Sequence, residues 1–295
     1  MATLNDNLFC LHPVFKDRVE MMQRHIKLRG ARVLEIGAYD RPTFVPNTEY
    51  SRYLDYRTYE DLVELGRHEV GRDITQIPPV DYVAKSNILS KELDRTFDLV
   101  VGNHVVEHVP NLLEWLIEVR KILNGNGFLF LSVPDRRYTF DYLRAETNIV
   151  AVLRRFADAV TKPTLWDLLD ARYLERPALV GDEAWHPEVL TQRLRERARP
   201  LLQAFEMARE EARLPYCDIH CSIFTSSSFT QLFNEMEDIR CNPFHVIEVS
   251  DVAPGRIEFH ALLRVNPDFD EAAMPLRAEA PNMVRSAPGP EMRPG

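Results

Sequence analysis

The sequence is poor in the residues that hold small extracellular or metal-stabilised proteins together. It contains only four cysteines in 295 residues, at irregular spacing, so we expect no disulfide framework. The closest pair, Cys217 and Cys221, flanks Asp218 and His220, but no second cysteine or histidine pair completes a zinc set. We therefore expect no metal site, and we expect a protein of the reducing cytoplasm.

Long apolar runs and an excess of positive charge are also missing. No stretch approaches the roughly 18 apolar residues that a membrane helix requires, and the first residues lack the basic and apolar regions of a secretory signal. The formal net charge of -9 disfavours broad binding to nucleic acid or to an anionic membrane. We expect neither partner, while 295 residues suffice for one large domain with an insertion.

The sequence does contain short apolar segments that alternate with helical patterns. Apolar side chains recur at helical spacing in residues 13–28 and again in residues 111–123, which predicts two amphipathic helices. Strands are predicted at residues 32–37, 51–55, 81–84, 97–102 and 128–133. Because these strands are apolar on both faces, the pattern predicts an α/β fold, with a parallel sheet between two layers of helices.

The composition changes after Pro134 and Asp135 and divides the chain into parts. Residues 141–217 are rich in Leu, Ala, Arg and Glu with almost no strand pattern, which predicts a helical insertion that could form a lid. The other predicted parts are an N-terminal helical segment (1–30), a ligand-binding domain (31–140 and 218–266, with late strands near 244–249 and 257–265) and a disordered, Pro-rich tail (267–295). Two pairs suit helix N-termini: Thr164 with Asp167, and Ser228 with Gln231.

The first strand ends in a glycine turn, Val33-Leu34-Glu35-Ile36-Gly37-Ala38. Such a turn lets the backbone approach a ligand closely, and a following helix N-terminus favours negative charge. The glycine pattern is degenerate, because Tyr39 and Arg41 stand where a dinucleotide motif has glycines. Taken alone, the segment fits a tight strand-to-helix turn equally well.

Two further segments point to the same ligand site. Asp55 closes the second strand 20 residues after Glu35, the spacing at which an acidic side chain accepts hydrogen bonds from ribose hydroxyls; a solvated aspartate is the alternative interpretation. The fourth strand runs into Asn103 and His104 and then into the pair Glu107-His108, and the next strand follows an Asn-Gly-Asn-Gly turn.

Together these segments resemble class I S-adenosylmethionine-dependent methyltransferases, closely over residues 31–135 and loosely over 220–265. The resemblance implies a three-layer, Rossmann-like methyltransferase sheet that binds S-adenosyl-L-methionine at the carboxyl ends of its parallel strands. It also implies the cofactor-binding residues, which are Glu35, Gly37, Ala38, Tyr39, Asp55, Tyr56, Ser86, Asn87, Asn103 and His104. The segments at 134–141 and 218–225 are similar to those of bacterial members from small-metabolite or glycan pathways.

Three residues are candidates for the chemistry. Methyl transfer is an in-line displacement, so positioning supplies much of the acceleration, and a base is needed only when the acceptor must lose a proton. His104 lies at the end of the fourth strand and titrates near neutral pH, although it could equally pack at a helix start. His220 could reach the site from the loop after the insertion, and Tyr138 could contact the acceptor. For His108 a structural hydrogen bond is the favoured interpretation.

We expect methyl transfer to a small-molecule or sugar acceptor, and three alternatives stay open. The altered turn places Asp40 and Arg41 near the cofactor's ammonium and carboxylate, which would suit a cyclase or lyase that releases methylthioadenosine from the cofactor. The chain could instead be a non-catalytic, cofactor-binding partner subunit. A nicotinamide-dependent dehydrogenase is disfavoured by the missing glycines. The sequence leaves the acceptor and the oligomeric state open.

Overall fold

The computed structural model describes residues 16–46, 49–86, 88–176, 181–195 and 199–274. The predictions for Asn87 and for residues 275–295 lie outside these ranges. No helix within them is long and apolar enough to cross a membrane.

One sheet organises the described part of the chain. Its strands are β1 (Val33–Ile36), β2 (Ser51–Asp55), β3 (Tyr82–Val83), β4 (Phe97–Asn103), β5 (Leu123–Pro134), β6 (Phe244–Val249) and β7 (Glu258–Val265). The order across the sheet is β3-β2-β1-β4-β5-β7-β6. Neighbours from β3 to β5 pair in parallel, whereas β7 runs antiparallel to both β5 and β6. The predicted α/β fold is confirmed, with one reversed strand.

The strand order creates a crevice at a defined place. The chain leaves β1 toward β2 and β3 on one side and returns to β4 on the other side. At such a switch point the loops after β1 and β4 diverge, which opens a crevice outside the carboxyl ends of the strands. All four residues of β1 are buried, as expected for a central strand with helices on both faces.

Helices cover the sheet and build the insertion. They are α1 (Lys16–His25), α2 (Tyr59–His68), α3 (Leu89–Glu92), α4 (Leu112–Ile122), α5 (Ile149–Ala157), α6 (Leu165–Leu174), α7 (Pro187–Arg195), α8 (Leu201–Glu211) and α9 (Ser226–Asp238). Thr164 and Asp167 form a capping box at the start of α6, as predicted. The box at α9 is formed by Thr225 and Ser228, so the predicted pairing of Ser228 with Gln231 is wrong: the helix begins earlier than its apolar face suggests.

The two ends of the described chain pack on this framework. In α1, the guanidinium of Arg18 donates to both carboxylate oxygens of Glu258 in β7, at 2.7 and 3.0 Å. Phe269 and Met274 are buried in the main core. Residues 267–274 therefore belong to the folded domain, and the prediction that the disordered tail begins at 267 places its start too early, because two large apolar side chains stabilise this segment.

The insertion has a small core of its own. Leu168 and Ala171 of α6 pack against Ala208 of α8 and against Ile219 and Cys221, which follow the insertion. The segment around residue 220 is thus fixed between the insertion and the sheet.

Candidate functional site

The carboxyl ends of β1, β2 and β4 meet at one edge of the sheet. Parallel pairing places Ile36 beside Leu54 and Gly102, and the amide of Gly37 donates to the carbonyl of Leu54 at 2.9 Å. The residues that follow, including Asp55 and His104, therefore lie around one crevice. This is the edge at which the sequence predicts a cofactor.

The turn after β1 adopts a backbone conformation that side chains rarely take. Gly37 has φ of +63° and Tyr39 has φ of +46°, both in the left-handed region that favours glycine. A Cβ on Gly37 would lie 3.1 Å from Cγ2 of Val105, so the turn approaches the β4 loop closely. The guanidinium of Arg72 lies 4.6 Å from the centroid of the Tyr39 ring, and this cation–π contact helps to hold a tyrosine where the family pattern has glycine.

Asp40 is occupied within the protein. Its buried carboxylate accepts from Nη1 of Arg72 at 3.0 Å and from the amide of Asp73 at 3.1 Å. The turn is closed by the amide of Arg41, which donates to the carbonyl of Ala38 at 3.0 Å. Arg72 therefore offsets the charge of Asp40 within the protein, which disfavours the suggestion that Asp40 accepts from the cofactor ammonium. The cyclase or lyase alternative loses part of its support, which came from the altered turn around Asp40 and Arg41.

The side chains of Glu35 and Asn103 form hydrogen bonds that stabilise the segment after β1. The buried carboxylate of Glu35 accepts from the amide of Thr43 at 2.8 Å and from Nδ2 of Asn103 at 3.1 Å. Burial raises the pKa of Glu35, while the hydrogen bonds from Thr43 and Phe44 oppose the shift. The carbonyl oxygen of the Asn103 side chain accepts from the hydroxyl of Ser132 at 2.9 Å. The polar groups of both side chains are thus used inside the protein, which differs from the direct cofactor contact that the resemblance implies.

The end of β2 presents a buried acid next to an exposed ring. Oδ1 of Asp55 accepts from the amide of Arg57 at 3.0 Å. Burial raises the pKa of the Asp55 carboxyl, although hydrogen bonds from the backbone amides of Arg57 and Tyr56 act in the opposite direction. Tyr56 is 58% exposed, and the centroid of its ring lies 6.3 Å from that of the Tyr216 ring. Along the edge, the hydroxyl of Ser86 donates to Oε1 of Glu92 at 3.0 Å.

His104 is clamped between two glutamates. Its backbone φ is +54°, its Nε2 forms a very short hydrogen bond with Glu258, and its Nδ1 lies 3.4 Å from Oε1 of Glu107. Burial alone would lower its pKa, but the two carboxylates outweigh burial and raise the pKa of His104 to about 9. The raised pKa favours the protonated ring at neutral pH, and this disfavours His104 as the general base that the sequence suggests.

A second group of polar side chains surrounds Glu107. Nδ1 of His108 lies 2.8 Å from Oδ1 of Asp218, and Nδ1 of His220 lies 2.5 Å from Oδ2 of Asp141. The two imidazole rings are perpendicular, with centroids 4.8 Å apart. One ligand atom each from Glu107, His108 and His220 falls within 4.8 Å of the other two. We call these three residues the Glu–His–His cluster.

With this geometry in view, the relationship to known proteins can be stated. The family described as "Methyltransferase domain" matches residues 14–237. The chain belongs to this methyltransferase family. The match confirms the prediction of an S-adenosylmethionine-dependent methyltransferase with S-adenosyl-L-methionine as its cofactor.

The chain is similar to several solved methyltransferases at low sequence identity and low TM-score. A SAM-dependent methyltransferase from Aquifex aeolicus is 11% identical, with 88% of this chain and 92% of that chain covered and a TM-score of 0.39. The magnesium protoporphyrin IX methyltransferase from Synechocystis, with bound SAH, is 9% identical, with 86% and 82% covered and a TM-score of 0.39. A possible histamine N-methyltransferase from Thermotoga maritima is 11% identical, with 85% and 88% covered and a TM-score of 0.38. No curated protein matches the chain.

The fold places only some of the predicted catalytic residues of this methyltransferase close to one another. His220 joins the Glu–His–His cluster, whereas Tyr138 stacks on Trp185 of the insertion, with ring centroids 4.2 Å apart. Sequence reasoning did not predict that Glu107 lies beside His108 and His220, or that His220 contacts Asp141. The adjacent Glu107-His108 pair was the one local signal, since His220 and Asp141 come from distant parts of the chain.

Proposed function

We propose that this methyltransferase transfers the methyl group of S-adenosylmethionine to a small-molecule or sugar acceptor. The observation that carries the proposal is the meeting of the Gly37 turn, Asp55 and the end of β4 at one edge of the sheet. In open α/β sheets this edge is the place where nucleotide-containing ligands bind.

The residues at this edge fit the cofactor. In this proposal the carboxylate of Asp55 would accept hydrogen bonds from the ribose hydroxyls, and the exposed Tyr56 would offer a ring face to the adenine. The backbone of Gly37 and Ala38 would lie along the methionine part, since the left-handed turn keeps Cβ atoms out of the way. The cofactor supplies a methyl group already activated by a positively charged sulfur.

The acceptor would approach from the side of the insertion. Tyr216 and His220 follow α8 directly and lie beside Tyr56 and Glu107 respectively. In the proposed reaction a lone pair of the acceptor attacks the methyl carbon while the carbon–sulfur bond breaks, and its electrons stay on sulfur. An acceptor that carries a proton on the attacking atom releases it to solvent. The net charge of -9 favours a small acceptor over a nucleic acid.

Binding of the cofactor product tests the first half of the proposal. We expect the variant Asp55→Ala to weaken binding of S-adenosylhomocysteine by about 1–3 kcal/mol, because ribose hydroxyls lose a buried acceptor. Isothermal titration calorimetry measures this, with Asp268→Ala as control, since Asp268 is exposed and lies beyond β7. Unchanged affinity in Asp55→Ala would show that the ribose lies elsewhere, and saturable NAD binding without S-adenosylhomocysteine binding would contradict the proposal.

Transfer itself is tested with a labelled donor. Cofactor that carries a trideuterated methyl group is incubated with the protein and a pool of small metabolites, and mass spectrometry looks for a metabolite that gains the labelled methyl. We expect such a product together with S-adenosylhomocysteine. Methylthioadenosine formed from cofactor and protein alone would instead support cleavage of the cofactor, and a cofactor-binding chain that never yields product would support a non-catalytic partner subunit.

A further inference from the structure

The Glu–His–His cluster contains a buried carboxylate that the protein leaves without hydrogen bonds. Glu107 is 0% exposed, and among the described residues neither of its oxygens has a hydrogen-bond partner. The ring nitrogens His104 Nδ1 and His108 Nε2 lie 3.4 and 3.8 Å from Oε1, too far or poorly aligned to bond. The ring of His104, 3.4 Å from Oε1, offsets part of the charge of Glu107, but a buried carboxylate without hydrogen bonds still favours a cation that its oxygens can bind directly.

The two histidines of the cluster are oriented as metal ligands are. Each uses Nδ1 to contact an aspartate, Asp218 for His108 and Asp141 for His220, which leaves Nε2 as the nitrogen available to Glu107 and its surroundings. Metal-binding histidines nearly always contact a carboxylate, carbonyl or water through the second ring nitrogen, which fixes the ring and raises its basicity. Both histidines have such a carboxylate.

The support of His220 extends one step further. Arg144 is buried and donates to Oδ1 of Asp141 at 2.8 Å and to the carbonyl of His220 at 2.9 Å. The ring of His220 also packs on Phe140, with centroids 4.8 Å apart. The ring of His220 is therefore fixed by Asp141 and Phe140, and its backbone by Arg144, so the side chain is already oriented before an ion binds.

We propose that Glu107, His108 and His220 bind a divalent first-row transition-metal ion, of the class of Zn²⁺, Mn²⁺ or Fe²⁺. Two imidazole nitrogens and one carboxylate suit these ions, whereas Mg²⁺ and Ca²⁺ prefer oxygen ligands throughout. The ligand atoms lie within 4.8 Å of one another, and an ion about 2.0–2.2 Å from each would draw them together. The proposal replaces the expectation that the chain has no metal site.

Three protein ligands leave at least one coordination position open, as in catalytic metal sites. The side chain of His108 is 31% exposed, so the cluster is reached from outside. It begins three residues after His104, at the end of β4 where the methyl donor is proposed to lie. If the proposed function holds, the open position takes an oxygen of the acceptor, which assigns the acceptor to molecules with a hydroxyl or similar oxygen donor.

Metal binding is tested on the full chain after chelator treatment and removal of the chelator. Co²⁺ is titrated by visible absorption, and Zn²⁺ and Mg²⁺ by calorimetry. We expect one saturable Co²⁺ and Zn²⁺ site per chain, with much weaker Mg²⁺ binding. Glu107→Gln and His220→Ala should abolish it, whereas Asp218→Asn should weaken affinity by about 10- to 100-fold. The matched control is His68→Ala, which removes an exposed histidine paired with Glu64 and should bind Co²⁺ like the unaltered protein.

Several results would overturn the proposal. They are the absence of saturable Co²⁺ and Zn²⁺ binding, or equal binding in the unaltered protein, Glu107→Gln and His220→Ala. Circular dichroism establishes that each variant is folded; if His220→Ala is not, Glu107→Gln and Asp218→Asn decide the question. S-adenosylhomocysteine titrations on the same samples distinguish the metal proposal from the proposed function. Loss of metal binding with cofactor binding retained contradicts only the metal proposal, and loss of cofactor binding with metal binding retained contradicts only the proposed function.

Discussion

Arg144 ties the insertion to the sheet edge, and its replacement by alanine should destabilise the protein strongly. The residue is only 2% exposed, and its guanidinium donates to Asp141 at 2.8 Å, to Asp170 at 2.7 Å and to the carbonyl of His220 at 2.9 Å. The variant Arg144→Ala removes all three hydrogen bonds at once. It also leaves a buried carboxylate, that of Asp141, with His220 as its remaining partner.

The size of the effect follows from which partners can return to water. Asp170 is 39% exposed and regains hydration, but Asp141 is 3% exposed and does not. Removing one member of a buried ion pair costs about 3–5 kcal/mol. Because His220 still compensates Asp141, we expect a loss near the lower limit, about 3 kcal/mol. Arg144→Lys keeps the charge but not the planar fork, so we expect a loss of about 2 kcal/mol, from two hydrogen bonds of about 1 kcal/mol each.

Urea unfolding at neutral pH, followed by circular dichroism, measures these losses as shifts of the midpoint at constant slope. The control is Arg213→Ala, because Arg213 pairs with Glu210 at 2.8 Å on the surface, where both side chains are more than 60% exposed; such pairs contribute less than about 1 kcal/mol. If Arg144→Ala and Arg213→Ala lose the same free energy of unfolding, the buried network does not stabilise the protein and the reasoning is refuted.

Three further predictions use the same structure. Gly37→Ala should lower stability by about 1–3 kcal/mol and weaken cofactor binding, whereas Gly71→Ala, equally left-handed but with open space around it, should lower stability less and leave calorimetric binding unchanged. Burial lowers the pKa of His260 to about 4, below its unfolded value of about 6.5, so between these pH values the unfolded chain binds a proton on His260 that the folded protein does not. This residue should therefore lower the free energy of unfolding by about 3 kcal/mol as the pH falls from 6.5 to 4. Urea titrations across that range should show a smaller loss in His260→Asn. Burial raises the pKa of Cys221 and Cys241 to about 12, so peptide mapping after iodoacetamide treatment at pH 8 should find both unmodified in the native protein and modified in urea; labelling of the native protein would contradict their assigned burial.

Much of the fold could be predicted from local sequence patterns. Apolar runs such as 97–102 predict strands because burial on both faces is a property of neighbouring residues, and β4 (Phe97–Asn103) follows that run closely. The helix at 111–123 and the capping box of Thr164 with Asp167 are equally local and were predictable. The reversed direction of β7 was not, because nothing in a strand's own residues records which way its neighbour runs.

The candidate site shows the limit of such patterns most clearly. Asp55 could be placed at the ligand edge because it closes the second strand, 20 residues after Glu35, and the carboxyl ends of parallel strands lie at one edge of a sheet. The state of His104 could be predicted only in part, since its pKa depends on burial and on Glu107, three residues away, but also on Glu258, 154 residues away in sequence. Asp40 looked available until the structure placed Arg72 against it.

The sequence by itself determined the α/β class, the positions of the first five strands along the chain and the edge where the cofactor is expected, because each depends on periodicity or spacing within a short segment. Only the tertiary structure decided which polar groups are already neutralised and which are left buried without a partner. Electrostatic interactions depend on distance in space and on the exclusion of water. Asp141 and His220, 79 residues apart in the chain, become one site beside Glu107 only when the insertion folds back onto the sheet.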